Sequence, residues 1–468
     1  MKKRRFDKLI SFFAITLMLA FHTVLFGWIW YTVYRPLLPM PYFRRGNYVL
    51  ILLFAVFLLA SNQIFGGLRL GYYKVLDSIV ARTLSLFTAY GSIFLVISLI
   101  AYRFVNPSRM LYAIGAGFLF NLLWTQISNW IYYKANPPRQ ILLVHGDRPF
   151  DEVYHKISAR SEKYDIVERV HCNIGEEALK QIISKHNAVI LHDLSAELRN
   201  HLIKFCYEHS IRVYVTPKLY DILIRGASDM DLFDTPFLLM RNRGLSRWQA
   251  FVKRAMDLLI SITCLILTSP VLLLIILLMK LFDKGPVFYH QTRLTLDGKE
   301  FEIYKFRSMY VDAEKDSIRL MSQGDDRITP LGRILRRTHL DELPQLFNII
   351  KGEMSFVGPR PERPEIAEIY MTQIPEFSYR LKVKAGLTGY AQVYGKYNST
   401  PYDKLKLDLT YIQNYSVFLD LKLLLLTGKT LFIPDHAEGI SSAFTTALRE
   451  TAAGAEPETS SNTEPETE

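Results

Sequence analysis

The segment 336–352, RRTHLDELPQLFNIIKG, holds the densest set of groups able to do chemistry. Asp341 and Glu342 are adjacent carboxylates, Arg336 and Arg337 precede them, and Arg360 follows within VGPRPE, held between Pro359 and Pro361. A carboxylate that attacks a diphosphate meets two like charges, so it needs guanidinium groups and a divalent cation beside it. Pro359 has its own φ fixed and Pro361 biases the preceding residue to extended backbone, so Arg360 is presented with little entropy to lose. An ordinary surface salt bridge is the plainer use of such an arginine, but a rigid Pro-Arg-Pro is an extravagant way to make a weak pair. Asp341 has its own plain alternative. Leu343, Leu346, Phe347 and Ile350 fall on one helical face, Pro344 suits a first turn and Gly352 a stop, which places Asp341 at a helix N-terminus, where aspartate is a favoured cap.

These groups must be positioned by a chain that is strongly apolar at its start. Of its 468 residues, the runs 9–34, 48–65, 83–102 and 110–132 are long and apolar enough to cross a bilayer. The first is too long for a secretory signal and lacks a small-residue cleavage site. Lys2, Lys3, Arg4, Arg5 and Lys8 precede it, and Lys and Arg resist translocation. The N-terminus is therefore expected in the cytoplasm, with four crossings returning the chain there near Lys134. Cys172, Cys206 and Cys264 show no metal or redox spacing, which suits a reducing compartment. The net charge of +11 lies beside apolar segments, so an anionic membrane surface, and not nucleic acid, is the expected partner.

From 140 to 243 short β-rich runs alternate with helical ones. ILLV (141–144), DIVERV (165–170), AVILHD (188–193) and RVYVTP (212–217) read as parallel strands, with EEALKQIISKH and AELRNHLIKFCYEH as helices of a small Rossmann-like domain. Where a dinucleotide site would show Gly-x-Gly-x-x-Gly, the chain has His145, Gly146, Asp147, Arg148 and Pro149. A structural or regulatory role is therefore preferred to nucleotide binding.

A fifth apolar stretch, 257–282, would carry everything after it across the membrane if it spanned. Lys253 and Arg254 precede it and Lys280 and Lys284 close it, so both flanks are basic. Ser269 and Pro270 stand at its middle, where proline removes a backbone donor and bends a helix. A helix that enters one leaflet, breaks at Ser269 and Pro270 and leaves on the same side meets both facts; a kinked spanning helix is the alternative. Further on, SVFLDLKLLLLTGKTLFI (416–433) reads either as a second apolar face on the membrane surface or as a buried core helix. Gly386, Gly389 and Gly395 either shape a tight loop near substrate or are turn glycines. The stretch 436–468, rich in Glu, Ser, Thr, Ala and Pro, is expected to be a disordered solvating tail.

The motifs KRAMD with its SP break, GPVFYHQTRL, FEIYKFRSM, LDELPQLFNIIKGEMSFVGPRP, VKAGLTGYAQV and LDLTYIQNYS followed by DLKLL stand in that order across 253–433. In them the chain resembles the bacterial sugar transferase family, the monotopic polyprenyl-phosphate hexose-1-phosphate transferases; the spans and α/β region before them resemble the family's long form. The resemblance implies a membrane α/β protein in four parts. These are four transmembrane helices (1–138), a Rossmann-like parallel-sheet domain (139–244), a mixed catalytic domain (245–435) anchored by a re-entrant helix (257–282), and the tail (436–468). It implies Asp341 as a nucleophile that takes the sugar phosphate as an acyl phosphate, and Glu342 as the second acid, holding Mg²⁺. Arg336, Arg360, Lys305 and Arg307 are implied phosphate contacts, and Ser269 and Pro270 the membrane helix break.

The implied reaction moves hexose-1-phosphate from a nucleotide sugar, with UDP the expected carrier, to undecaprenyl phosphate and releases UMP. It would be the first membrane step of exopolysaccharide, capsule or O-antigen synthesis, on the cytoplasmic face of the inner membrane among membrane lipids. The hexose stays open, and so does the choice between monomer and homo-oligomer. Two other classes compete. A nucleotide-sugar oxidoreductase or dehydratase could pair membrane spans with a Rossmann fold, but the glycine fingerprint it needs is missing. A membrane scaffold with a dead transferase unit is opposed by the intact Asp341 and Glu342.

Overall fold

A computed structural model of the chain describes residues 2–40, 42, 44–147, 150–232, 234–240, 244–283, 285–310, 327–395 and 400–431. The acidic stretch 436–468 lies outside them, as do Arg148, Pro149 and Lys284. The chain divides into two units, Met1–Lys218 and Leu219–Glu468.

Apolar sequence of bilayer length forms helix because the backbone must satisfy its own polar groups there. In the first unit α1 (Lys2–Ile29), α2 (Arg44–Phe65), α3 (Val75–Ile100) and α4 (Ser108–Ala135) take up the four expected runs, α1 passing into a π-helical turn at Trp30–Tyr34. Each gives a segment long and apolar enough to cross a membrane. Leu52, Leu99 and Leu119 stay exposed, whereas Phe26, Phe54 and Tyr90 are buried, the two phenylalanine rings stacking at 4.3 Å. Polar side chains turn inward and join helices: His22 meets Asn121 at 3.1 Å, and Arg82 donates to Thr125 at 2.7 Å.

The same unit holds β1 (Arg139–His145), β2 (Tyr164–His171), β3 (Ala188–His192) and β4 (Arg212–Val215), all parallel, in the order β2-β1-β3-β4. Leu142, Val144, Val189 and Leu191 fill one core with Leu179, Ile183 and Leu202, while Ile141, Leu143, Ala188 and Ile190 fill another. Burial on both faces is why these strands read as apolar runs instead of alternating. Gly146 donates its N–H to the His192 carbonyl at 3.0 Å, and a Cβ there would lie 2.2 Å from the Asp193 oxygen. The one glycine after β1 thus serves close packing of two strand-end turns.

The unit boundary differs from the expected one. Residues 219–244, expected with the α/β domain, belong to the second unit, because the helix Leu219–Arg225 buries Ile222 in a core with Phe377, Leu405 and Leu409. In this unit α5 (Arg247–Leu278) opens with a reciprocal capping box between Ser246 and Gln249. The helix does not break at Ser269 and Pro270. It continues through them, because the Ile266 carbonyl, which loses its usual partner where Pro270 has no N–H, accepts from Ser269 Oγ at 2.8 Å.

Two sections of α5 are held by the rest of the unit. Lys253, Asp257 and Ser261 are buried before the Ser-Pro pair, and Leu272, Ile275 and Met279 after it; from 262 to 271 no residue is fully buried. Lys253 pairs with Asp420 at 2.6 Å, and Asp257 accepts from Ser355 Oγ and the Phe356 N–H, both at 3.0 Å. Beyond the pair, Leu272, Ile275 and Met279 pack with Phe306 and Leu335. Asp420 lies on α8 (Val417–Leu431), where Leu423 is fully buried while Phe418 and Leu421 are exposed. The run is therefore a core helix that also leaves an apolar edge uncovered.

Candidate active site

An antiparallel hairpin of β5 (Phe288–Leu294) and β6 (Glu300–Phe306) carries Lys305 at its end. The helix α6 (Pro330–Thr338) is capped by Thr329, whose Oγ1 accepts from the Gly332 N–H at 2.9 Å, and it stops at His339, which takes a left-handed φ of 56°. That reversal feeds a single 3-10 turn, Leu340–Glu342, ahead of α7 (Gln345–Lys351). Asp341 and Glu342 therefore sit in a tight turn between two helices. Pro344 occupies the cap position of α7 with no side-chain cap bond, so the plain capping role for Asp341 does not hold.

The buried face of α7 is not the expected one. Gln345, Leu346, Asn348 and Ile349 are buried and Phe347 is 42% exposed. Asn348 explains the rotation: its Oδ1 accepts from the Tyr304 N–H at 3.0 Å, and its amide donates to the Glu302 carbonyl and to Glu353, both at 2.7 Å. A buried amide that satisfies a strand's backbone costs less than an orphaned strand N–H, so polarity at this position does not mean exposure. The far end of α7 is closed by Gly352 at φ 92° and by Arg254, which donates to the carbonyls of Ile349 and Ile350 at 2.5 and 2.7 Å.

Glu342 Oε1 receives Lys305 Nζ at 2.7 Å and Arg360 Nη2 at 3.2 Å. Burial alone would raise this carboxyl, but Lys305 and Arg360 outweigh it and hold Glu342 well below the usual carboxylate range. Asp341 goes the other way. Burial and then the neighbouring Glu342 charge raise it, against opposition from Lys305, Arg336 and His339. Its carboxylate makes no hydrogen bond among the described residues, and Glu342 Oε2 accepts none. Adjacent acids pushed apart in this way divide labour: one is a fixed charge, the other a desolvated and uncommitted oxygen donor.

The site opens on a cleft lined by Arg293, Lys305, Glu342, Gln345, Arg360 and Leu387 among others. Its floor depends on close backbone approach. β7 (Ser355–Val357) pairs in parallel with β8 (Gly386–Thr388), and a Cβ on Gly386 would lie 2.1 Å from the Gly358 nitrogen. Gly386 lines the same cleft.

Of the residues singled out from sequence, Asp341, Glu342, Lys305, Arg336 and Arg360 come together. Arg307 does not join them. It is 6% exposed and donates to the Asp283 carbonyl at 2.9 Å, while Thr329 Oγ1 donates to the Asp283 carboxylate at 2.9 Å, so Arg307 ties down the chain end beyond α5. Sequence reasoning missed Arg293, which lines the cleft from β5, and Arg380, which holds the backbone of the Pro-Arg-Pro segment through the Arg360 carbonyl at 2.9 Å. Among the described residues no three His, Cys, Asp or Glu side chains form a metal cage.

The fold and site define a membrane-associated α/β protein with an acidic pair beside a cationic cleft. The profile of the family described as "Bacterial sugar transferase" matches residues 248–434. A UDP-glucose:undecaprenyl-phosphate glucose-1-phosphate transferase of Caulobacter vibrioides is 40% identical over 190 residues, 40% of this chain and 71% of that protein. An uncharacterized sugar transferase, EpsL, of Bacillus subtilis is 39% identical over 204 residues, 43% of this chain and 97% of that protein. A UDP-N-acetylgalactosamine-undecaprenyl-phosphate N-acetylgalactosaminephosphotransferase of Aeromonas hydrophila is 39% identical over 185 residues, 39% of this chain and 44% of its own length. The match thus spans less than half the length of such longer relatives. The chain belongs to the bacterial sugar transferase family.

Proposed function

We propose that this chain moves a hexose-1-phosphate from a UDP-sugar to undecaprenyl phosphate through an aspartyl phosphosugar. The observation that carries the reading is the division within the acidic pair, with Asp341 buried and uncommitted beside a Glu342 whose charge Lys305 and Arg360 secure. An Asp341 oxygen attacks the phosphorus that bears the sugar, the P–O bond to the nucleotide breaks, and UMP leaves with that oxygen. An oxygen of undecaprenyl phosphate then attacks the same phosphorus, the aspartyl P–O bond breaks, and the carboxylate is restored. Lys305, Arg336 and Arg360 hold the phosphoryl oxygens through both steps.

The donor set fits Mg²⁺, which binds through one or two carboxylates plus substrate phosphates; Asp341 and Glu342 Oε2 are the oxygens that would hold it. When bound, the ion supplies charge neutralisation on the diphosphate.

The acceptor's hydrocarbon tail stays in the bilayer while a nucleotide sugar is dissolved in the cytoplasm, so the site must stand at the interface. Burial of α5 before 262 and after 271, with no buried residue between, supports a continuous helix bent at Pro270 whose two ends are held on one side of the inner membrane, with the catalytic unit on the cytoplasmic face. The relatives' names differ in the hexose, so the reading stops at that class. It belongs at the first membrane step of exopolysaccharide, capsule or O-antigen synthesis. Membranes containing the chain, given labelled UDP-hexoses, undecaprenyl phosphate and Mg²⁺, are expected to yield a labelled lipid product and UMP. Release of UDP instead would mean that sugar alone moves, and the reading would be wrong.

A further inference from the structure

Lys305 and Arg360, two of the cations lining the cleft, are engaged by Glu342. Among the described residues no carboxylate is in contact with Arg293. Its Nη1 donates to the Pro361 carbonyl at 3.2 Å and its Nη2 to Gln291 at 2.6 Å, and its buried Nε has no partner. Glu362 acts on it through space but is taken by Arg380 at 3.4 Å. Burial works against the charge of Arg293. A half-buried guanidinium with an orphaned donor and no carboxylate in contact carries a cost that an arriving anion removes. The position narrows which anion. Arg293 lines the cleft beside Arg360 and Pro361, to whose carbonyl it donates, whereas Asp341 is not part of that lining, so Arg293 stands apart from the attacking carboxylate.

We propose that Arg293 binds the phosphate that departs with the nucleoside, while Lys305 and Arg336 serve the phosphate attacked by Asp341. This rests on the reading of function above. As the bridging P–O bond breaks, negative charge grows on the departing phosphate, and a guanidinium already fixed by Pro361 and Gln291 meets it without reorganising.

The test uses the full chain in lipid nanodiscs, with Arg293→Gln and Arg293→Lys, titrated with UMP and separately with pyrophosphate. Arg293→Gln is expected to weaken both ligands about tenfold to a hundredfold, as loss of a charge-assisted hydrogen bond does, and to leave the KM for undecaprenyl phosphate unchanged. Arg293→Lys restores much of the affinity. Unchanged pyrophosphate and UMP binding in Arg293→Gln overturns the proposal. So does equal loss in both variants together with a lowered melting temperature, which would reduce Arg293 to a tie on Pro361. If wild-type chain binds pyrophosphate but turns over no nucleotide sugar, the reading of function fails, and the pyrophosphate arm still decides whether Arg293 holds a phosphate.

Discussion

Lys305 Nζ lies 2.7 Å from Glu342 Oε1, joining the end of a hairpin strand to the turn that carries the acidic pair. The contact keeps Glu342 charged, and the Glu342 charge in turn raises Asp341. A change at Lys305 therefore reaches both acids.

Lys305→Met is expected to lower kcat/KM about 10²-fold, the scale of losing one preorganised charge in a site. It should also change the pH dependence of stability. A carboxyl depressed in the fold stabilises above its unfolded value of about 4.3 and loses that contribution as pH falls through the folded value. The wild-type advantage in melting temperature should be largest near neutrality and shrink in acid; a gap that is constant with pH would contradict the pairing.

Asp341 must be ionised to attack, and its carboxyl is raised in the fold, so the acid limb of kcat/KM should lie above the ordinary carboxylate range of about 4. Arg336 opposes that rise. Arg336→Gln should move the limb to still higher pH, and a pH–rate profile that does not move would remove Arg336 from the site.

Ser269→Ala should leave the Ile266 carbonyl with neither a hydroxyl nor the missing Pro270 N–H, at a cost of about 1–2 kcal/mol. Ser269→Ala/Pro270→Ala restores a backbone donor and should recover most of it. Thermal inactivation rates in membranes check this, and a neutral Ser269→Ala would show that the hydroxyl is dispensable.

Arg380 is 4% exposed and binds Asp408 at 2.8 Å as well as Glu362. Arg380→Met strands those carboxylates and should cost about 3–5 kcal/mol in a denaturant titration. Burial already pushes Asp408 up to about 6 against the pull of Arg380. A raised acid favours the fold while protonated and loses that as pH rises, so the deficit of Arg380→Met should grow above about pH 6. A deficit that falls with pH would contradict this account.

Much of this was legible in sequence because it depends on local pattern. The four N-terminal helices follow apolar length, the parallel strands follow β-rich runs, and the acidic pair with Lys305 and Arg360 follows motif order. What escaped depends on partners distant in sequence. Asn348 reads as a polar face until Tyr304 is placed against it, and the Asp283 carbonyl to which Arg307 donates does not show in the strand motif. The helix Leu219–Arg225 reads as part of the sheet domain before it until Ile222 meets Leu405 and Leu409. Ser269 and Pro270 signal a disturbed helix, but whether the chain breaks there turns on a hydroxyl reaching one carbonyl.

The central claim is that Asp341 carries the phosphosugar. Incubation with a donor labelled in its sugar-bearing phosphate, without lipid acceptor, followed by acid quench and peptide mapping, tests it most directly. The label should appear on the peptide containing Asp341, leave when undecaprenyl phosphate is added, and be absent in Asp341→Asn. Label on another residue, or full turnover by Asp341→Asn, would contradict the account.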